Sequence, residues 1–486
     1  MKKIKVCGLL FGGLLYLMTS CLGSDKLEYD EWSLANAQIS SFMLFSDSID
    51  GLSNVKFTID QINGKIYNKV PMPFGTDLSH KVFCELAWDE DRYGNLSSLF
   101  VSHTNDSVWW ASNADSIDFS APLKITVYPP DGLTPKIYEA QINVHQVDPY
   151  EMVWQNYDEL TSGSVFNDIK VIPFNGSYYM YALENDVIKL YRSDTEEIND
   201  WMEMELSGFP NNAVLSQITE NEGNLYVISE DGSLYFSSTD ADQNSTDEQS
   251  WSRIEGIPAI KSLLGYLSPN IVTGRVSVVS GISLIDGTRR FISINKTNEW
   301  ETGAAVPSTF PVSGFGSINY ETMHNPRISV VAGRDSDDKL SNKVWATMDG
   351  LSWALMSDGV PTFSPREGIA LSFYNKCFFV IGGIDSEGTV LKDIHFSIDH
   401  GINWFYNYFE YEIPEGETED YEVTDDDLVE KISYELPEEY MARGFNSVII
   451  DDNDYMLLFG GKESKDTNVL NEIWRGRINR LGFGKE

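Results

Sequence analysis

The sequence predicts an all-β chain in two parts, a β-sandwich followed by a ring of six four-stranded units. Three observations carry this. Aromatic residues reach 13% and glycine is frequent, while long amphipathic helical patterns are almost absent. Short alternating apolar segments, separated by turn residues, fill residues 38–148. From residue 150 onward tryptophans recur at Trp154, Trp201, Trp251, Trp300, Trp353 and Trp404, at intervals of 47, 50, 49, 53 and 51 residues. A period near 50 marks a repeat architecture, because one four-stranded unit cannot bury both of its faces alone.

The chain opens MKKIKVCGLLFGGLLYLMTSC. Lys2, Lys3 and Lys5 form a basic start, and the apolar run Val6 to Met18 is too short to cross a bilayer comfortably. Residues 1–20 therefore read as a signal peptide. Small residues just before Cys21 resemble a bacterial lipobox, with Met18 where Leu is usual. The resemblance implies cleavage before Cys21, acylation of Cys21, and a membrane held through that lipid. No later stretch reaches the ~20 apolar residues that a helical span needs. Residues 21–37 are polar and mostly acidic, and they read as a tether. They resemble the export tag of Bacteroidetes surface lipoproteins, which implies an outer-membrane lipoprotein exposed at the cell surface or facing the periplasm. Cys7 lies in the leader, and Cys84 and Cys377 stand alone among apolar residues, so both read as small buried hydrophobes.

Residues 38–148 are expected to hold strands at Ile39–Phe45, Val55–Ile59, Lys65–Tyr67, Lys81–Leu86, Leu123–Tyr128 and Tyr138–Val144, with a turn at Pro129–Gly132. About seven strands in ~110 residues suggest an immunoglobulin-like sandwich. FGTDLS, DFSAPLKITVYPPDG and YEAQINV resemble the small immunoglobulin- or cadherin-like repeats at the front of many Bacteroidetes lipoproteins, where they serve as spacers or adaptors. In a strand the rings of Trp109 and Trp110 point to opposite faces, so one is core and one is free to stack on sugar. Ser48, Ser107 and Ser116 fit the short Asp-Ser-apolar pattern of Bacteroidetes O-glycosylation.

Residues 150–486 carry the repeat. Each tryptophan begins a short extended segment, with a second strand about ten residues upstream and an apolar strand before that. In the later copies the apolar strand ends in Gly-Gly, at Gly382-Gly383 and Gly460-Gly461, and is preceded by PREG or ARGF. An Arg (Arg366, Arg443), an apolar strand, a Gly pair and an aromatic strand resemble a kelch repeat, as in the central domain of galactose oxidase. Arg327 is expected to be the equivalent arginine one unit earlier. The resemblance implies a six-bladed kelch-type β-propeller. Trp474 aligns with Trp345 on the third strand of a unit, so the last unit lacks a fourth strand of its own. Trp154-Gln-Asn-Tyr157 is an unpaired fourth strand at the start, and it is expected to close the ring and remove two free edges.

SIDHGINW, residues 397–404, has the form of an Asp-box, which occurs in sialidases. Ser397, Asp399, Gly401 and Trp404 fit a turn stapled by its own side chains, with glycine free to take positive φ. Asp349, Gly350 and Trp353 form a shortened relative one unit earlier. Both are expected between the third and fourth strands of their units, away from the axis, as structural turns. A sialidase needs three converging arginines, a Tyr nucleophile with its Glu, and an Asp acid, and the repetition of the arginines explains them as parts of the blade. No residue is singled out as catalytic, and the scattered histidines form no metal cluster in the sequence. Asp240 to Asp247 resembles the opening of a calcium loop but lacks its Gly and closing Glu, so no cofactor is expected beyond a weak case for Ca²⁺. Residues 410–439 are an acidic insertion. With 74 acidic against 35 basic residues, the net charge of −39 argues against nucleic acid as a partner. The expected function is a membrane-anchored, non-catalytic module for a glycan or protein ligand. The alternative is a carbohydrate-active enzyme, sialidase- or epimerase-like, that uses the pocket on the ring axis.

Overall fold

The computed structural model describes residues 36–88, 96–110, 116–157, 159–161, 163–195, 197–238, 248–357, 363–406 and 434–483. The leader with Cys21, nearly all of the tether, residues 240–247 and residues 407–433, which include most of the acidic insertion, lie outside the described residues. The described residues form strands, turns and three short 3₁₀ turns, and the chain divides into Met1–Pro149 and Tyr150–Glu486.

The first unit has two sheets. The smaller is ordered Ser41–Phe45, Val82–Ala87, Ser116–Ile117. The larger runs Phe57–Asp60, Lys65–Asn68, Lys136–Gln141, Leu123–Tyr128, Ser97–Val101, Ser107–Trp110. Neighbours are antiparallel except Lys65–Asn68 with Lys136–Gln141, which run parallel. The sheets share one core, built from Phe42, Leu44, Val82 and Cys84 on one side and Ile66, Phe100, Ile125 and Tyr138 on the other. Alternation of apolar residues along each strand supplies that face. The strands Ser97–Val101 and Ser116–Ile117 were not anticipated: their runs are short and serine-rich, and only their buried members mark them. Trp110 turns inward and donates from Nε1 to the Cys84 carbonyl at 3.0 Å. Trp109 is 57% exposed beside Tyr128 on the outer face. Ser48 and Ser107 are exposed, and Ser116 is half-buried in its strand.

The second unit has six sheets among the described residues. Each begins with an inner strand, in order Asp168–Phe174, Thr219–Asn221, Ile260–Leu267, Gly316–Thr322, Ala370–Tyr374 and Ser447–Ile450. Three further antiparallel strands follow outward in each. Successive inner strands touch one another, and the sixth touches the first, so the cycle is closed. A separate apolar core fills each space between neighbouring sheets. Ile169 and Val171, for example, meet Ile449 and Phe459 between the last sheet and the first, while Tyr181 and Leu190 meet Leu225 and Val227 between the first and second. Free edges of inner strands are partly answered by neighbouring side chains, which limits the cost of unpaired backbone groups. Val171 N–H donates to Ser447 Oγ at 3.0 Å, and Leu263 N–H to Gln217 Oε1 at 2.7 Å.

The sixth sheet is ordered Ser447–Ile450, Met456–Phe459, Ile473–Ile478, Met152–Asn156. Its outer strand thus comes from the opposite end of the unit, with Met152 opposite Ile478 and Trp154 opposite Gly476. A Cβ at Gly476 would stand 2.5 Å from the Trp154 ring, so glycine is what lets the ring lie on the strand. Elsewhere the repeating tryptophan stands at or just before the fourth strand, as Trp404 does before Phe405–Tyr406. The first sheet carries an unexpected fifth strand, Glu248–Ser250, parallel to Met202–Ser207.

One expectation fails. Arg327 is not equivalent to Arg366 and Arg443. It lies inside the second strand of the fourth sheet, opposite Tyr320. Gly314 and Gly368 both take positive φ and sit in successive strand-start loops, joined by Gly368 N–H to the Gly314 carbonyl at 2.8 Å. That register puts Val312 where Arg366 stands one unit later, so the arginine is present in only the last two units.

Candidate functional site

In a four-stranded antiparallel sheet, the hairpin between strands three and four lies at the same end as that between strands one and two. The start of the inner strand and the link between strands two and three lie at the other end. The ring therefore has two chemically different ends.

The hairpin end carries the Asp-box-like turns. Asp399 Oδ1 accepts from the backbone N–H of Ile402 at 3.1 Å and of Asn403 at 2.8 Å, and from Ser397 Oγ at 2.8 Å. Ser397 Oγ in turn accepts from Gly401 N–H at 2.8 Å. Gly401 has φ +92°, and Trp404 is buried against Val344, Phe363 and Phe378. The turn at Thr347 repeats this: Asp349 Oδ1 accepts from Leu351 and Ser352 N–H, both at 2.8 Å, and Gly350 N–H donates to Thr347 Oγ1 at 2.9 Å. Trp353 packs on Phe310 at 5.2 Å. The oxygens of both aspartates face their own turns.

At the strand-start end, Arg366 and Arg443 are buried and repeat one pattern. Arg366 donates to the Gly382 carbonyl at 3.1 Å and, through two nitrogens, to Asp393 at 2.6 and 3.0 Å. Arg443 donates to the Gly460 carbonyl at 3.0 Å and to Glu472 at 2.7 Å, and lies 4.1 Å over the Tyr440 ring. Gly382 and Gly460 take φ near +60°, Gly383 and Gly461 near +100°. A Cβ on Gly461 would meet the Arg443 side chain at 2.9 Å. These guanidiniums are spent on backbone carbonyls and on one carboxylate each. Burial pushes the Asp393 carboxyl up, and hydrogen bonds from His395 and Arg366 outweigh it and hold it down at about 2.

The charges that remain form a chain across four sheets. Glu367, only 5% exposed, accepts from Arg334 and Lys465, each at 2.5 Å. Arg334 ends the second strand of the fourth sheet, Glu367 precedes the inner strand of the fifth, and Lys465 lies in the 460–472 link of the sixth. Burial pushes Glu367 up, and the two cations outweigh it and hold it below the usual carboxylate range. In the same link Lys462 approaches Asp168, at the start of the first sheet, to 3.9 Å. Asp168 also feels Lys170 on the same inner strand. Burial raises the Asp168 carboxyl above its ordinary value and lowers the Lys170 amine below its own. Glu367 and Asp168 thus each stand between two cations, and Arg334 also reaches Asp338 at 3.4 Å. None of the six stands out in the sequence: Lys462 and Lys465 sit in GGKESK and Glu367 in PREG, stretches marked by their glycines and arginine, and Arg334 is one of twelve arginines in the unit. Among the described residues no three His, Cys, Asp or Glu side chains gather as metal ligands do.

Two comparisons bear on this ring. The family described as DUF6242 beta propeller domain matches residues 148–486, and the one described as Domain of unknown function (DUF6242) N-terminal domain matches residues 33–142. The second unit is therefore a β-propeller. No curated protein matches the chain in sequence. Among solved structures, one titled "Structure of YjhT" is similar at 13% identity and a TM-score of 0.44, over 64% of this chain and 95% of that one.

Proposed function

The chain belongs to the DUF6242 family, and from that premise we propose that it is a membrane-anchored lipoprotein whose propeller is a non-catalytic module for a glycan or protein ligand. In this reading Cys21 carries the lipid, the first unit is an immunoglobulin-like spacer at the outer membrane, and the second is a six-bladed propeller of kelch type. The closed cycle of six inner strands supports the blade count. The repeated Arg366–Gly382 and Arg443–Gly460 contacts support the kelch assignment. No cofactor enters this reading.

The observation that carries the ligand-binding role is the charged chain at the strand-start end. It joins four sheets at one end of the ring, whereas the Asp-box-like turns at the hairpin end turn their carboxylates inward. A second reading, a carbohydrate-active enzyme using the axial pocket, is favoured by Lys170, because a lysine amine lowered by burial is a better base than an exposed one. A glycan array run beside a hydrolase screen on the purified full chain separates the two. Retention of glycan without release is expected. Release of sugar overturns the non-catalytic reading and favours the second.

A further inference from the structure

We propose that the outer face of the six-stranded sheet in the first unit is a self-association surface, and that its partner is the same face of a second copy of this chain. The inference goes beyond the reading of the first unit as a spacer and does not depend on which ligand the propeller takes.

Alternation along each strand sets which side chains share this face. On the two central strands, Leu123–Tyr128 and Lys136–Gln141, Ile125, Val127, Tyr138 and Ala140 are buried in the core, so Lys124, Thr126, Ile137 and Glu139 stand on the outside. The ladder pairs join outward residues into rows across the sheet. One row is charged, with alternating sign: Lys124 is opposite Glu139, Glu139 opposite Lys65, and Lys65 opposite Asp60. Asp60 caps its own turn by accepting from Ile62 and Asn63 N–H, both at 2.9 Å. Lys124, Glu139 and Lys65 are exposed and enter no ion pair among the described residues. The adjacent row is mostly apolar: Trp109 is opposite Leu99, Leu99 opposite Thr126, and Thr126 opposite Ile137. At the other edge this row runs into the turn residues Ile62 and Asn63, two positions beyond Asp60 and Lys65. Ile62 is 94% exposed, Trp109 57% and Ile137 49%, so one face leaves three large apolar side chains in water.

A twofold axis that runs along the strands, between the two central ones, answers both rows at once. Each outward residue is laid over the residue at the same level and the same distance on the other side of the axis. Lys124 then meets Glu139 of the second copy, and Glu139 meets its Lys124. In the other row Thr126 meets Ile137, and Trp109 at one edge meets Ile62 at the other. Every contact is made twice, as a closed isologous dimer requires. The charged row matches itself only when reversed, which is what selects a second copy as the occupant. Stacked sheets pack about 10 Å apart with strands within about 30° of each other, and this axis allows that arrangement. The chain carries −39, yet this face sets Lys65 and Lys124 against Asp60 and Glu139. Charges beyond ~8 Å are largely screened at physiological salt, so the distant acidic surface opposes contact only weakly. Six strands about 4.8 Å apart give a face roughly 24 Å wide. That is at the low end for a specific interface, so the dimer is weak, with a Kd of about 10–100 µM. A dimer displays two propellers, and a ligand with repeated epitopes gains avidity from both.

Sedimentation equilibrium of the full chain at about 0.15 M salt tests this. The wild type should pass from monomer to dimer as its concentration rises through about 10–100 µM. Lys124→Glu and Glu139→Lys, each alone, should weaken dimerisation about 10-fold or more, because each sets like charges against one another. An equimolar mixture of these two variants should recover the dimer, since the reversed charge of one copy then meets the reversed charge of the other. Misfolding of a variant does not produce that recovery. Trp109→Ser should also weaken the dimer about 10-fold or more. Lys339→Glu, at an exposed lysine of the second unit, should leave it unchanged and controls for net charge. A chain that stays monomeric up to several hundred µM overturns the proposal. So does a dimer indifferent to both reversals, which forms through the leader or another surface. Loss of dimer in each reversal without recovery in the mixture overturns the twofold pairing on which the proposal stands.

Discussion

Gly476→Ala should strain the closure of the ring, and the strain should vanish when Trp154 is removed. Trp154 and Gly476 lie opposite each other in the pairing of Met152–Asn156 with Ile473–Ile478. The added Cβ would stand 2.5 Å from the indole, which is held at its other side by a hydrogen bond from Nε1 to the Glu435 carbonyl at 2.9 Å. A rigid ring pinned in this way cannot yield by rotating a terminal group, so the overpacking cost is about 2 kcal/mol. Melting entropy of about 2.1 cal/mol/K per residue, over the roughly 340 residues of this unit, converts that into a fall of about 3 °C. Gly476 does not occupy the left-handed region, so alanine there has no backbone penalty of its own once the ring is gone. In a Trp154→Ala background the same substitution should cost under about 0.5 kcal/mol, a coupling of about 1.5 kcal/mol or more between residues far apart in sequence. Thermal melting of the two single variants and the double variant measures it. Equal costs of Gly476→Ala in both backgrounds would refute the closure.

Three further outcomes follow. Arg366→Met should destabilise the propeller by about 3 kcal/mol, because it leaves Asp393 and the Gly382 carbonyl without their shared donor, and denaturant unfolding reads this directly. Asp393 is held at about 2 against an ordinary 3.8, so its contribution is present above about pH 5 and lost as pH falls towards 2. Across that window the wild type should lose about 2 kcal/mol more than Asp393→Asn, measured by unfolding at a series of pH values. In the first unit, Trp110→Ala should cost about 3 kcal/mol, since its ring packs against the core and its Nε1 serves the Cys84 carbonyl. Trp109→Ser, at an exposed position, should change stability by under about 1 kcal/mol in the same melts.

The repeat was legible because burial imposes a period. Trp251, Trp353 and Trp404 each have to fill the space between two sheets, so their spacing records the length of a unit. The fourth strand of the last sheet was legible for a related reason: Trp474 keeps third-strand register, which leaves Trp154 to supply the missing edge. The inner strands were harder. Thr219–Asn221 has only three residues, and Gln217 just before it accepts from Leu263 N–H on the next inner strand. Arg327 misled because an arginine before an apolar strand looks the same whether it caps a unit or lies within a strand. Only the positive φ of Gly314 and Gly368 fixes the register, and backbone conformation of that kind has no sequence period. The charged mouth was illegible because its six members come from residues 168 to 465 and are joined by closure of the ring rather than by proximity along the chain.

Hydrogen–deuterium exchange of the full chain, with and without a glycan retained on the array, tests most directly the claim that one end of the ring receives a ligand. Slower exchange is predicted in peptides covering Phe166–Ile172 and Gly460–Glu472, where Lys170, Lys462 and Lys465 stand, with no change at Thr347–Trp353 or Ser397–Trp404. Protection confined to those two hairpins, or no protection on either end of the ring, would contradict the account.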